Sequence, residues 1–316
     1  MPHYSIHLSL TSPVQSLCVA FLLVALSDSA PAITFTTLEF PGATYTELSS
    51  IDGNNIVGYY ADTLGAQHGF LYDGVNWTTL DVPFPRSPET PFLLAYDTRA
   101  FGISDNNIVG WYLEGPHGFL FDGTTWTPLD YPGSVNGSNQ AIDGNNIVGV
   151  ADSTGFLYDG ATWSPLAYPG SLFTNPLGID DGKVVGYYQI DDFFAPRHGF
   201  VYDGTDWETL DYPGAISTEP HGIDGNNIVG TWWDSTQGHA FIYDGSTWTS
   251  FDHPDSIATV VNDISGNRLV GTYFDPTGYP HPFLATIPEP NAAILCVAGL
   301  AGICSVFGRV QWRYSR

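Results

Sequence analysis

The sequence Ile51-Asp52-Gly53-Asn54-Asn55-Ile56-Val57-Gly58 occurs six times in the chain with small changes. The other copies run from Ile103 to Gly110, Ile142 to Gly149, Ile179 to Gly186, Ile223 to Gly230 and Ile264 to Gly271. Copies spaced 37 to 52 residues apart indicate a repeat architecture. The Asp-Gly-Asn-Asn step favours a hairpin turn, because Asn and Gly tolerate positive φ. Each copy therefore predicts the end of one strand, a tight turn and the start of the next.

Two further strand signals complete each repeat. A segment of the type His-Gly-Phe-Leu-Tyr-Asp-Gly follows the aromatic end of the Ile-Val-Gly strand, as at residues 68–74. An Asp-Gly-x-x-Trp turn then leads into a short segment that closes with Pro, as from Trp77 to Pro83. Four short strands per repeat, without helical periodicity, are typical of a propeller blade.

The spacing between motifs predicts how the ring closes. From the Trp of one repeat to the glycine of the next Ile-Val-Gly there are 23 residues in four cases, and 33 where an insertion falls between Pro83 and Asp97. Phe35 lies the same 23 residues before Gly58, so the N-terminal segment is predicted to be a displaced outer strand. The last repeat ends at Ile287 without an outer strand of its own. We therefore predict an all-β, six-bladed β-propeller over residues 33–287, closed by the N-terminal strand.

Composition limits the partners of this domain. The 316-residue chain has 33 acidic and 8 basic residues, a net charge of -25. Such a field repels phosphate backbones, so nucleic acid is not an expected partner. The three cysteines, Cys18, Cys296 and Cys304, lie outside residues 33–287, which excludes disulfides and thiolate zinc sites within the predicted propeller.

The two ends of the chain carry targeting patterns. Residues 1–32 contain ten apolar residues from Leu17 to Leu26 and a small-residue site at Ala30-Pro31-Ala32, which predict a signal peptide. Residues 288–316 contain Pro288-Glu289-Pro290, an apolar segment over 292–307 and a tail with Arg309, Arg313 and Arg316. We predict a single transmembrane helix over 292–307 with a cytoplasmic tail.

These features resemble two known groups of exported bacterial proteins. The C-terminal arrangement resembles the PEP-CTERM sorting signal, also labelled an ice-binding-protein C-terminal domain. The resemblance implies transient residence in the inner membrane, an exosortase-type membrane protease as partner, and delivery to the cell surface or extracellular matrix; a plain membrane anchor is the alternative. The repeats resemble HAF-type extracellular repeats, with His-Ala-Phe at His239, His-Gly-Phe at His68, His117 and His198, a variant at His281, and a departure at Thr154.

Candidate ligand-binding residues follow the second strand of each repeat, where connection lengths vary. Variable loops on a rigid scaffold favour a binding face. The candidates are acids with neighbouring aromatics: Asp62, Glu114, Asp152, Asp191, Asp192, Trp232, Trp233, Asp234 and Asp275. Exposed aromatics and carboxylates suit sugar rings and hydroxyls; the alternative is that the aromatics pack between blades and the acids are solvated.

No familiar catalytic motif is present. The repeated histidines fall on separate blades, which favours packing and hydrogen bonding over a shared metal. We expect no cofactor, with calcium as the alternative that abundant oxygen ligands leave open. The sequence thus predicts a non-enzymatic, surface-sorted protein that binds or organises extracellular polysaccharide or surface partners. The alternative is a secreted glycan-cleaving propeller enzyme with paired carboxylates on the variable-loop face.

Overall fold

The frequent turn signals divide the chain into short strands. The structure is a computed structural model that describes residues 33–83, 97–113, 116–134, 136–192 and 195–288. These ranges contain 24 strands in six antiparallel sheets of four. The predicted all-β, six-bladed propeller is therefore confirmed.

Each blade runs outward from an inner strand. Blade one comprises β2 (Tyr45–Asp52), β3 (Asn55–Ala61), β4 (Gln67–Tyr72) and β5 (Trp77–Leu80). Blade two comprises β6 (Thr98–Ser104), β7 (Asn107–Leu113), β8 (Pro116–Phe121) and β9 (Trp126–Pro128). Blade three comprises β10 (Gly137–Asp143), β11 (Asn146–Ala151), β12 (Thr154–Tyr158) and β13 (Trp163–Leu166). Blades four and five comprise β14 (Phe173–Asp180), β15 (Lys183–Gln189), β16 (His198–Tyr202) and β17 (Trp207–Thr209); β18 (Ser217–Asp224), β19 (Asn227–Trp233), β20 (Gly238–Tyr243) and β21 (Trp248–Phe251).

Blade six is built from both ends of the propeller. Its inner strands are β22 (Ala258–Ser265), β23 (Arg268–Phe274) and β24 (Pro280–Thr286), and its outer strand is β1 (Thr34–Thr37). Thr34 pairs with Thr286 and Thr37 with Phe283. The closure predicted from the Phe35 spacing is thereby confirmed.

The hairpin turn and the glycine of the repeated motif have separate structural causes. The first turn residue has a positive φ of 45° to 60° in all six copies, at Gly53, Asp105, Gly144, Asp181, Gly225 and Gly266. The glycine of Ile-Val-Gly crosses the inner strand closely: a Cβ there would lie 1.9 to 2.2 Å from a backbone oxygen of that strand, at Gly58, Gly110, Gly149, Gly186, Gly230 and Gly271. A side chain at this position would force the two innermost strands apart.

The core lies between neighbouring blades. One cluster joins Val57 and Leu80 of blade one to Ile103, Ile108 and Phe119 of blade two. The phenylalanine of the third strand is at most 1% exposed in every blade, at Phe70, Phe119, Phe156, Phe200, Phe241 and Phe283. Because each sheet buries one face against the next, closing the ring also protects the first and last blades.

The propeller has two distinct faces. We define the turn face by the hairpins that join strands one to two and three to four, and the loop face by the other connections. Thr34 and Ile287 both lie at the turn face, since Thr34 pairs with the end of β24 and the Ile287 amide donates to Asn267 O at 2.8 Å. The first and last strands of the propeller thus meet at the turn face.

Several predicted segments lie outside the described residues. They are the signal peptide over 1–32, Glu289 and Pro290 of the sorting triplet, the transmembrane segment over 292–307, and Arg309, Arg313 and Arg316. In the part of the chain that is described, we find no helix long and apolar enough to cross a bilayer.

Candidate functional site

A channel along the propeller axis contains two cavities. The inner strand of every blade carries a β-bulge that inserts one extra residue into its pairing with strand two, for example between Leu48 and Ser50 in blade one. The six bulged residues are Ser49, Phe101, Gln140, Leu177, His221 and Asn262. A bulge redirects a side chain, and these six residues all line one cavity of the channel.

That cavity opens towards the loop face, and we call it the axial mouth. Its volume is about 200 Å³, and it is lined by the six bulged residues and Glu47. The motif two residues further along each strand is nearly identical in all repeats, yet the six bulged residues are all different. The axial mouth is therefore where the repeat loses its symmetry.

Two similar charged clusters flank the axial mouth, three blades apart. Between blades four and five, Arg197 Nη1 donates to Glu219 Oε2 at 2.6 Å, and the guanidinium lies 4.7 Å from the centroid of the Tyr187 ring. Between blades one and two, the Arg99 guanidinium lies 4.6 Å from the Tyr59 ring. Tyr45 and Tyr59 both donate hydrogen bonds to Glu47.

The two glutamates experience opposite electrostatic environments. Burial raises the pKa of Glu47, although the Tyr45 hydroxyl and the charge of Arg99 oppose the rise. Burial also acts to raise the pKa of Glu219, but His221 and Arg197 outweigh it and hold that pKa below its usual range. The loop end of the channel thus holds one carboxyl biased towards its protonated form and one biased towards its ionised form.

His221 lies close to one of these glutamates. Its Nδ1 donates to Val261 O at 2.6 Å, and its Nε2 lies 3.9 Å from Glu219 Oε2. Because Nδ1 is engaged by a carbonyl, Nε2 is the nitrogen that faces the carboxylate.

The second cavity lies at the turn end of the channel and has a volume of about 340 Å³. Here the last residue of each inner strand accepts a hydrogen bond from the first turn amide of a neighbouring blade, at 2.5 to 3.1 Å. The acceptors are Asp52, Ser104, Asp143, Asp180, Asp224 and Ser265. We call this complete ring of inter-blade contacts the turn ring. The repeated acids of the motif therefore serve to hold neighbouring blades together.

Asp263 is a partly buried exception beside this ring. Its carboxylate accepts hydrogen bonds from Ser50 Oγ at 2.6 Å and from the Ile51 amide at 3.0 Å, across the junction of blades six and one. Burial raises its pKa to about 6.

Three of the predicted ligand acids lie within loops whose backbone they hold. Asp62, Asp234 and Asp275 each accept two backbone N–H bonds from their own loop, as from Leu64 and Ala66 to Asp62. The Thr236 hydroxyl and loop amides hold the pKa of Asp234 below its usual range. These carboxylates occupy separate blades, and each lies 3.3 to 3.7 Å from the Nε2 of a histidine, at His68, His239 and His281.

The remaining predicted residues are also separated. Asp152, Asp191 and Asp192 are exposed, whereas Glu114 lies outside the described residues. The Trp232 ring stacks on Tyr212 at 4.5 Å, and its Nε1 donates to Ser250 at 2.9 Å. Trp233 is half-buried, and its Nε1 has no hydrogen-bond partner among the described residues. Among the candidates that the structure describes, the acids of different blades lie in separate loops.

The repeated histidines belong to an outer belt of aromatic stacks. In blade four, Tyr168 stacks on Tyr188 at 3.7 Å, Tyr188 stacks on His198 at 5.4 Å, and His198 Nδ1 lies 2.8 Å from Asp211 Oδ2. Blades one, five and six contain equivalent three-layer stacks, Phe40–Tyr60–His68, Tyr212–Trp232–His239 and His253–Tyr273–His281. The hydrogen-bonding role predicted for the histidines is what these contacts provide.

The sequence contained a signal for the axial mouth that motif reading missed. The position two residues before the motif isoleucine is different in every repeat, although the motif that follows it repeats. Arg99 and Arg197 both lie beside the channel through contacts that cross blade boundaries, which no repeated spacing indicated.

Comparisons with known proteins place the fold only. No family model and no curated protein matches the chain. The β-propeller domain of the Trilobed protease from Pyrococcus furiosus is 12% identical, with a TM-score of 0.46, covering 78% of this chain and 97% of that one. The Aleuria aurantia lectin, in complex with alpha-methyl-L-fucoside, is 15% identical, with a TM-score of 0.44 and coverage of 79% and 96%. An acylaminoacyl peptidase from Pyrococcus horikoshii is 9% identical, with a TM-score of 0.44 and coverage of 80% and 54%. These similarities concern the β-propeller architecture.

Proposed function

We propose that this chain is an exported, surface-displayed propeller that binds extracellular polysaccharide without cleaving it, and that the axial mouth is its principal binding site. The observation that carries the proposal is the loss of repeat symmetry at six bulged positions that share one cavity. Selection for the fold alone accounts for residues that repeat. Six different residues around one opening are what an asymmetric ligand requires.

The chemistry of the axial mouth suits a polar, uncharged ligand such as the end of a glycan chain. Gln140 and Asn262 supply amide groups, and Phe101 supplies an apolar ring. The net charge of -25 disfavours polyanions. Arg197 is paired with Glu219, which reduces the positive charge available to an anion.

The position of the propeller ends is consistent with surface display. Both ends lie at the turn face, so a C-terminal tether would leave from there and the axial mouth would open on the opposite side. We propose that the Pro288 region is recognised by an exosortase-type protease after export. Replacing Pro288, Glu289 and Pro290 by alanine should retain the protein in the membrane fraction of the native host; unchanged release to the surface would contradict this part of the proposal.

Binding can be tested with residues 33–287, which contain all four strands of every blade. A glycan array with and without calcium should identify a bound polysaccharide and show no released products. Phe101→Ala and Gln140→Ala should each weaken that binding about tenfold. Thr124→Ala, on an exposed outer turn, is the matched control and should leave binding unchanged. Equal binding by all variants would show that the axial mouth is not the binding site.

A second candidate function, glycan cleavage, is favoured by one observation. Glu47 and Glu219 lie at the same channel end, with pKa values displaced in opposite directions. Two carboxyls biased in this way can supply a general acid and a nucleophile or base where about 5 to 10 Å separates them. If the chain cleaves glycans, the ligand found on the array would be turned over. Glu219→Gln would then abolish turnover while retaining binding. This result would rule out non-enzymatic binding.

A further inference from the structure

Blade three lacks the aromatic stack that fills the outer belt of other blades. In the positions of the stacked ring, the histidine and its acid partner, blade three has Ala151, Thr154 and Ala167. All three members of the arrangement are therefore replaced together. Their loss leaves the first layer, Tyr131, without the ring that covers the equivalent Tyr168 in blade four.

Tyr131 nevertheless keeps the position of a stacking layer. Its ring lies 5.6 Å from Phe156 and 5.6 Å from Trp163, edge-on to the latter. In blade four, Tyr168 makes the corresponding edge contact with Trp207 at 5.5 Å. Tyr131 is thus held by the core in the same way, while its outer side faces the small Ala151.

A cavity occupies the vacated space. Its volume is about 240 Å³, and its lining includes Tyr131, Ser134, Ala151, Asp152 and Thr154. Only Asp152 and Ser153, both with positive φ, separate β11 from β12. The equivalent loop of blade one spans the five residues between Ala61 and Gln67. The short connection of blade three leaves the cavity open at the loop face.

The cavity combines a flat ring with polar groups at its border. The Asp152 carboxylate lies at the border of the cavity and accepts from the Asn136 amide at 3.3 Å. The hydroxyls of Ser134 and Thr154 add hydrogen-bonding groups. An aromatic face beside hydroxyl and carboxylate acceptors matches a pyranose, which has an apolar C–H face and hydroxyls around its edge.

We infer that this blade-three slot is a second saccharide subsite, in which one uncharged pyranose stacks on Tyr131 in place of the missing aromatic and histidine. The inference takes its ligand class from the proposed function. Its location is independent of the axial mouth, because none of the slot residues lines the channel cavities.

The test uses residues 33–287 and saturation-transfer NMR with methyl glycosides of glucose, galactose and mannose. At least one glycoside should show transfer to its C–H protons, and Tyr131→Ala should weaken its binding about tenfold. The combined variant Ala151→Tyr, Thr154→His and Ala167→Asp rebuilds the stack and should abolish slot binding. Because it restores contacts found in other blades, it should not lower the melting temperature.

Matched controls separate this inference from the proposed function. Ala161→Tyr adds a tyrosine to an exposed turn of the same blade and should leave glycoside binding unchanged. All these measurements are made in a Phe101→Ala background, in which binding at the axial mouth is weakened, so that the glycoside signal reports the slot. No glycoside signal, or a signal that survives in the rebuilt stack, would overturn the inference. Binding of N-acetyltyrosinamide but of no glycoside would also overturn it, in favour of an aromatic side chain from a protein partner.

Discussion

At the turn end of the axial channel, every blade presents an Asp or Ser to a turn amide of its neighbour. At the loop end, a few residues earlier on the same strands, the bulged positions carry six different side chains. The strands and their pairing are the same at both ends. The repeated residues therefore maintain the ring, whereas the bulged residues are free to differ.

The largest expected effect on stability comes from Asp263, a carboxyl at the turn end that the other blades lack at the equivalent position. Its folded pKa of about 6 exceeds the unfolded value of about 4, so the stability linked to its proton is fully present below pH 4 and is lost as the pH rises through 6. From pH 4 to pH 7, the free energy of unfolding should therefore fall by about 2 kcal/mol more in the wild type than in Asp263→Asn.

Urea unfolding across this range measures the difference between the two proteins. Asp206→Asn, on an exposed outer turn, should follow the wild-type curve. Parallel pH curves for Asp263→Asn and the wild type would show that the partly buried carboxyl does not titrate as its surroundings indicate.

Arginine removal compares the two ends directly. Arg197→Met leaves the Glu219 carboxylate buried without its ion partner, and should lower the free energy of unfolding by about 2 kcal/mol, a reduced value because Arg197 is partly exposed. Arg268→Met removes a turn-end arginine that donates to Gly53 O and Asn54 Oδ1 near solvent, and should cost less than about 1 kcal/mol.

Denaturant unfolding at pH 7 gives both values. Adding Glu219→Gln to Arg197→Met should recover part of the loss, because the uncompensated charge is removed. If Arg268→Met proved the more damaging substitution, the loop end would not be the site of the more strongly coupled charges.

The last expected effect, similar in size to that of Arg268→Met, is at the turn ring. Asp180→Ala removes the acceptor for the Gly225 amide and should cost about 1 kcal/mol, while glycan binding at the axial mouth stays unchanged. Asp180→Ser should lose less, since Ser104 and Ser265 already fill this role in two other blades. Urea midpoints provide the measurement. A change in ligand affinity in either variant would contradict the division of roles between the two ends.

Much of the architecture could be predicted because it depends on local and periodic signals. The turn at Gly53, the strand-two glycine Gly58 and the 23-residue interval from Phe35 follow from backbone geometry that recurs in every blade. Repetition also directed attention to the acids after strand two, including Asp62 and Asp234. Their backbone contacts depend on how each loop folds, which no repeated spacing encodes.

The sequence by itself determined the blade count, the order of strands and the closure by β1, because strand period, turn chemistry and repeat length are local properties of the chain. Tertiary structure decided which residues meet: His221 with Glu219, Arg197 with Glu219, and the open space beside Tyr131. These relations cross blade boundaries, so they depend on the bulges and on the packing of neighbouring sheets. Ring closure brings residues more than a hundred positions apart to one axis, where their different side chains line a common cavity.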